Sequence, residues 1–390
     1  YSMQIEGGTF TCNGAGSASY NAAVSTAAGV TTVINGGTFN GGSAGAVISY
    51  GDTVINGGTL NGKYGVIAKV NSSGTEAGSI TLPEGSSAVV NAESAPFVAH
   101  GSNGKAGSIT VAGGTTTGSS LLGTMGTVDD KKAVLTVTGG KHEADPSDYI
   151  PEDMCVVVNP DGTFTVGEYA AQVGDQKYAT VQEAINDAQP NSTVEIIAQE
   201  AVTEELTISK NLTIAGQGKD TTVLKGKITV YGCTAELKDL RVENNTATAY
   251  GTALITFPAA QAAADVTFTN CTVYDNDTAF RLESEGSSLT LDHTDVTGAA
   301  HYGVGLRNEN QTLTVNGGSI TGWGAVMTSA GSLPDGTEDS GTKIEISGAK
   351  IVATEGASGG YYGAIVLQES YHGVELTIRD SEVIGEGLHT

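Results

Sequence analysis

Ile34-Asn35-Gly36-Gly37-Thr38-Phe39-Asn40-Gly41 recurs 21 residues later as Ile55-Asn56-Gly57-Gly58-Thr59-Leu60-Asn61-Gly62. A short strand followed by a glycine turn, echoed at a near-fixed period, is the mark of a repeat architecture. Taking the apolar residue before each turn as a marker gives Ile5, Ile34, Ile55, Leu82, Val111 and Val137, with steps of 29, 21, 27, 29 and 26. A second series is Ile214, Leu237, Phe268, Leu291, Val315, Ile346 and Ile378, with steps of 23, 31, 23, 24, 31 and 32. The shortest steps hold three short strands and three turns, but not a strand, a helix and a second strand with their loops. The pattern therefore predicts an all-β chain, each repeat being one coil of a parallel β-helix. Longer steps imply loops at a corner, such as residues 329–341 and 354–360, which are rich in turn formers.

The chain has 390 residues, 55 of them glycine and 8 proline, with no Gly-X-Y period, which excludes collagen. A formal charge of -25 excludes nucleic acid and anionic membrane surfaces as expected partners. No apolar run approaches the length of a membrane span. Cys12, Cys155, Cys233 and Cys271 are too scattered for a disulfide framework and include no C-x-x-C pair, so they read as small apolar residues. The sequence opens at Tyr1 with no charged-then-apolar leader before Ile5, and reads as a processed or excised fragment.

Repeats stop at Gly139-Gly140 and resume near Leu206. Between them, two β-rich runs flank Pro160-Asp161-Gly162, the signature of a hairpin that would cap the first solenoid. Thr180 with Glu183 forms a capping box, Val181, Ala184, Ile185 and Ala188 make an apolar face, and Pro190 closes the segment. A short helix over residues 180–188 is expected to plug the opening of a second solenoid. The organisation predicted is a first β-helix segment over 1–140, a cap and linker over 141–173, and a second segment over 174–390.

The stretch from Tyr178-Ala179-Thr180-Val181-Gln182-Glu183-Ala184-Ile185 to Leu212-Thr213-Ile214-Ala215-Gly216 resembles the opening of right-handed β-helix proteins of the pectin-lyase-like superfamily. The cap, from Gly139-Gly140-Lys141-His142 to Thr163-Phe164-Thr165-Val166, is similar to a linker repeated in large, often wall-attached surface proteins of anaerobic bacteria. The resemblance implies a right-handed solenoid and an extracellular setting at a bacterial cell surface or wall. The same scaffold carries lyases, hydrolases, esterases and adhesins, so activity has to be argued from a site.

Pectin-active relatives cluster carboxylates with a basic residue or metal on neighbouring coils. The densest acidic groups here are Asp275-Asn276-Asp277, Asp292-His293-Thr294-Asp295 and Asp335-Gly336-Thr337-Glu338-Asp339. None repeats the motifs of polygalacturonases or pectin methylesterases, and all read as solvated turns or loops, so no catalytic residue, metal or cofactor is expected. His301 and His372 read as surface residues. Thr267, Thr290, Thr314 and Thr377, with Glu345 and Lys238 interrupting the file, reflect β-propensity.

A sharper pattern is Tyr302-Gly303, Trp323-Gly324 and Tyr362-Gly363, each an aromatic before a glycine that opens an apolar strand, with Tyr250-Gly251 an earlier member. Equivalent positions in successive coils lie about 4.8 Å apart, so these rings are expected to form a column, with Tyr361 beside it. Such a column either fills a corner of the core or forms a platform for sugar rings. Strand alternation places Glu283 and Arg307 outward as stacked neighbours forming a surface ion pair. The residues expected to contact a glycan are therefore Tyr302, Trp323, Tyr361, Tyr362, Glu283 and Arg307. The function expected is a non-catalytic surface stalk or adhesin with a host or dietary glycan as partner. The rivals are a polysaccharide lyase or glycoside hydrolase, and a purely structural spacer.

Overall fold

The computed structural model describes residues 1–12, 21–43, 45–244, 253–275, 277–329, 339–354, 363–368 and 372–385, with residue 300 described by its backbone alone. Among the described residues the chain is all-β apart from two short helical turns, and its strands lie mostly in parallel in four curled sheets. It divides into two compact units, Tyr1–Glu168 and Tyr169–Thr390.

In the first unit, among the described residues, consecutive strands pair only where Val89–Ser102 meets Lys105–Ala106 and where Met154–Val158 meets Phe164–Glu168, both antiparallel. The coil strands pair in parallel with the strand one repeat further on; the first five repeats contribute to three ladders and the last, Leu135–Val137 with Lys141–His142, to two. The first ladder runs through Ser2–Ile5, Thr31–Ile34, Asp52–Ile55, Ser79–Leu82, Ser108–Val111 and Leu135–Val137. Ile5 faces Ile34, Ile34 faces Ile55, and Leu82 faces Val111, which faces Val137. The second ladder stacks Phe10, Phe39, Leu60, Val90, Thr116 and His142 in register. The third passes through Ala22–Thr26, Gly45–Ser49 and the ends of the long strands Thr59–Ala68 and Val89–Ser102, which bend across two faces.

The repeated phrase explains this geometry residue by residue. Ile34, Phe39, Ile55 and Leu60 are fully buried, each worth about 1.5–3 kcal/mol of apolar burial. Between them Gly37 and Gly58 turn the chain at φ of +111° and +106°, a region closed to most side chains. The asparagines build ladders outside: Asn56 Nδ2 donates to Asn35 Oδ1 at 2.8 Å, Asn61 to Asn40 at 2.9 Å, and Asn91 to Asn61 at 2.9 Å. Stacked amides satisfy one another between these repeats, as they do in cross-β assemblies.

The Pro-Asp-Gly hairpin forms, with Met154–Val158 antiparallel to Phe164–Glu168, and the latter strand pairs antiparallel with Lys141–His142 at the end of the second ladder. Lys141 Nζ donates to Asp161 Oδ2 at 2.7 Å, tying the turn to that strand. His142 is fully buried, bonded to Thr116 Oγ1 and to the Gly139 carbonyl, both at 2.9 Å, and burial pushes its ring pKa down.

The second unit opens with Ala171–Val173, which is antiparallel to Gln176–Tyr178 and to Ser192–Ile196. The segment read as linker up to residue 173 thus ends in the first sheet of this unit. The helix Val181–Asp187 follows; Thr180 Oγ1 accepts from the Glu183 amide at 3.1 Å, and Val181, Ala184 and Ile185 are buried against the core. Glu204 adds a cap from outside the helix, its carboxylate accepting from the Val181 and Gln182 amides. The first ladder of this unit aligns Ile214, Leu237, Phe268, Leu291, Val315, Ile346 and Ile378, every marker in register. The threonine file lies on the outer face of this ladder, where Glu236 and Glu345 interrupt it; Lys238 faces Thr269 in the neighbouring file.

Cys155, Cys233 and Cys271 are buried and Cys12 is half-buried, and no disulfide joins them among the described residues. Burial pushes the Cys271 thiol up to about 11, so it stays protonated at neutral pH. Among the described residues no helix is long and apolar enough to cross a membrane.

Candidate functional site

The third ladder of the second unit carries Thr278–Leu282, the end of Asp295–Leu306, the end of Ser319–Thr328, and Gly363–Leu367. Phe280 faces Val304, Arg281 faces Gly305 and Leu282 faces Leu306, a step of 24 residues. Phe280, Leu282, Val304 and Leu306 are fully buried, which directs Arg281 and Gly305 outward. A cleft of about 220 Å³ opens on this outer side, lined by Asp277, Thr278, Arg281, His301, Tyr302, Gly305, Arg307, Ser329 and Gln368.

Glycine at 305 creates the floor of the cleft. A Cβ added there would come no closer than 3.7 Å to any other heavy atom, so a side chain is absent from a place that has room for one. The wall is set by an irregularity: Ala299 faces Gly322 and Tyr302 faces Gly324, so three steps on one strand meet two on the next. This bulge at residues 300–301 re-aims His301 and Tyr302, a common use of an extra residue beside a binding site.

His301 Nδ1 bonds Asp277 Oδ1, and the His301 amide donates to the Asp277 carbonyl at 3.0 Å. Asp277 is 2% exposed, and its carboxylate also accepts from Thr278 Oγ1. A carboxylate at Nδ1 fixes the orientation of the ring. The expectation that Asp275 and Asp277 are solvated turn residues is therefore overturned: both are buried, at 1% and 2% exposure. The Asp292-His293 group does lie at an exposed turn, with His293 at φ +48°. Of the third acidic group, Asp339 is exposed and residues 335–338 lie outside the described residues, as do Tyr361, Tyr362 and Tyr250.

The expected Glu283–Arg307 ion pair is present, at the outer limit of such a contact. The register places the two side by side, but Arg307 Nη1 stands 4.0 Å from Glu283 Oε1, beyond hydrogen-bonding range. Arg281 takes that oxygen instead, donating from Nε at 2.9 Å and Nη2 at 2.7 Å. Arg307 Nε is buried without a hydrogen-bond partner among the described residues.

The aromatic column also differs from its expected form. Tyr302 and Trp323 are parallel within 6° with centroids 6.4 Å apart, but the bulge puts Tyr302 opposite Gly324 rather than Trp323. Trp323 is only 8% exposed, with the His301 ring 5.6 Å away, so it is not an open platform. Tyr302 is half-buried and lines the cleft.

Asp277, Arg281, His301 and Gly305 were missed as site residues. The 24-residue step that pairs Glu283 with Arg307 also carries Asp277 to His301 and Arg281 to Gly305, so the signal was present in the spacing. Among the described residues no group of three or more His, Cys, Asp or Glu is placed to hold a metal ion. Comparison with protein-family models and with curated proteins found no match.

Proposed function

We propose that the second unit is a right-handed parallel β-helix that binds an acidic sugar in this cleft, and that the chain is a non-catalytic adhesin displayed at a bacterial cell surface. The observation that carries the reading is Arg307: a half-buried guanidinium whose Nε has no hydrogen-bond partner among the described residues, paired only at 4.0 Å with a Glu283 carboxylate that Arg281 holds more closely. A buried donor without a partner is costly, and a ligand carboxylate supplies the charge-assisted bonds it lacks. Tyr302 offers an apolar face with a polar edge for the sugar ring, while Gln368 and Ser329 offer amide and hydroxyl contacts. Surface display is supported by the acidic charge and by the likeness of the cap to wall-protein linkers.

The Asp277–His301 pair favours one alternative, a lyase. A histidine oriented by a buried carboxylate is arranged as a general base, and an arginine beside it would neutralise the carboxylate whose α-proton is removed. Incubation with pectins, mucins and uronic acid polymers separates the readings. Retention of uronate polymers over neutral glycans, with no change in chain length, is the expected result. Release of unsaturated uronate ends would establish the lyase, and no retention of any glycan would leave a structural spacer.

A further inference from the structure

Where glycine follows asparagine, the side-chain amide lies open to attack by the next backbone nitrogen, because glycine puts no side chain in the way. Six such pairs fall among the described residues: Asn35-Gly36, Asn40-Gly41, Asn56-Gly57, Asn61-Gly62, Asn103-Gly104 and Asn316-Gly317. The fold treats them unequally.

Four belong to the amide ladders. Asn35 donates to Glu6 Oε1 at 3.0 Å and accepts from Asn56, while Asn61 donates to Asn40 and accepts from Asn91. The Gly41 and Gly57 amides are engaged as well, donating to the Asn61 and Ile34 carbonyls at 2.7 and 3.4 Å. At Asn316 the nitrogen that would attack is the bound group, since the Gly317 amide donates to the Ser347 carbonyl at 2.8 Å. In each of these five pairs either the side-chain amide or the attacking nitrogen is tied into the solenoid.

Asn103-Gly104 differs. It forms the two-residue tip of a hairpin between the end of Val89–Ser102 and Lys105–Ala106, with Ser102 facing Lys105. Both tip residues have positive φ, +53° and +72°, the type I′ geometry that suits Asn-Gly. Both are exposed, and a Cβ on Gly104 would meet nothing within 4 Å. Among the described residues the Asn103 amide lies over Gly74 of the neighbouring loop without a hydrogen bond, and the Gly104 nitrogen donates to nothing. The tip therefore opens without uncovering any core side chain.

We propose that Asn103 is a site of spontaneous modification, converted by water to aspartate and isoaspartate ahead of every other asparagine-glycine pair among the described residues. The Gly104 nitrogen bonds Asn103 Cγ, the Cγ–Nδ2 bond breaks, and the nitrogen's proton leaves with the amide as ammonia, closing a cyclic imide. Water then adds to either imide carbonyl. Breaking the Cγ–N bond restores the ordinary backbone with an aspartate, and breaking the backbone C–N bond leaves the chain running through Cβ as isoaspartate. Each product sets a new carboxylate beside Lys105, whose Nζ bonds the Thr75 carbonyl of the neighbouring loop. Isoaspartate also lengthens the main chain of a two-residue loop, which breaks its geometry and loosens the hairpin at Ser102. Ser102 lines a first-unit cleft of about 510 Å³, so the modification alters the rim of that cleft as the protein ages.

The test is a time course of the full chain in neutral buffer, with amide-to-acid conversion at each pair read by mass spectrometry of proteolytic peptides and isoaspartate counted by enzymatic methylation. A free peptide of residues 99–107, incubated alongside, sets the time scale. Asn103 should convert on that scale, and the other five pairs should lag it at least about tenfold, the effect of hydrogen bonds that must break before the ring can close. Asn103→Gln, whose longer side chain closes the ring poorly, should abolish conversion at that position and leave the other pairs unchanged. Any of the other five keeping pace with Asn103, or an unconverted Asn103 after the free peptide has reacted, overturns the proposal.

Discussion

Trp323→Ala should lower the stability of the second unit by about 3–5 kcal/mol, the range for emptying a buried large aromatic site. The ring is 8% exposed and packs against His301 and Tyr302. Its removal opens a void behind the cleft wall that the bulged backbone at residues 300–301 is poorly placed to close. The unfolding transition of the second unit, followed by circular dichroism, should shift down by about 10 °C. An unchanged transition would mean that the indole lies open to solvent, as a sugar platform would require. Trp323→Phe, which keeps an aromatic ring, should recover most of the loss.

Gly58→Ala should cost about 2–4 kcal/mol, from an unfavourable backbone region and an overpacked contact together. Gly58 has φ +106°, and a Cβ there would meet the Gly37 carbonyl oxygen at 2.9 Å. That carbonyl accepts from the Thr59 amide at 2.8 Å, so it cannot move without breaking the rung that joins two repeats. Gly29→Ala is the control: φ is +71° but nothing lies within 4 Å of its Cβ, so only the backbone cost of about 1–2 kcal/mol applies. Denaturant midpoints of the two variants should differ in that order. Equal losses would show that close stacking of the glycine turns is not what the repeated phrase encodes.

Much of the parallel architecture was legible because its cause is local. An apolar residue, a glycine turn and an asparagine recur at short steps, and all seven markers from Ile214 to Ile378 fall in one ladder. The site was less legible because its causes are not periodic. The extra residue between Ala299 and Tyr302 shifts the aromatic file by one place, and nothing in the spacing of the aromatic-glycine pairs reveals it. Asp277 looks like a turn residue until His301, 24 positions on, is seen to cover it. Arg281 also bonds Glu283, two residues further along the chain, a contact that the 24-residue step does not encode.

The reading of the second unit as an acidic-sugar site is tested most directly by the emission of Trp323, the chain's one tryptophan, which touches two residues of the cleft wall and reports no other site. Titration with a galacturonate oligomer should change that emission saturably in the unaltered protein. In Gly305→Leu, where the side chain fits the backbone but occupies the cleft floor, the change should vanish while the unfolding transition stays in place. Absence of any change in the unaltered protein, or the same titration curve in both proteins, would contradict the account.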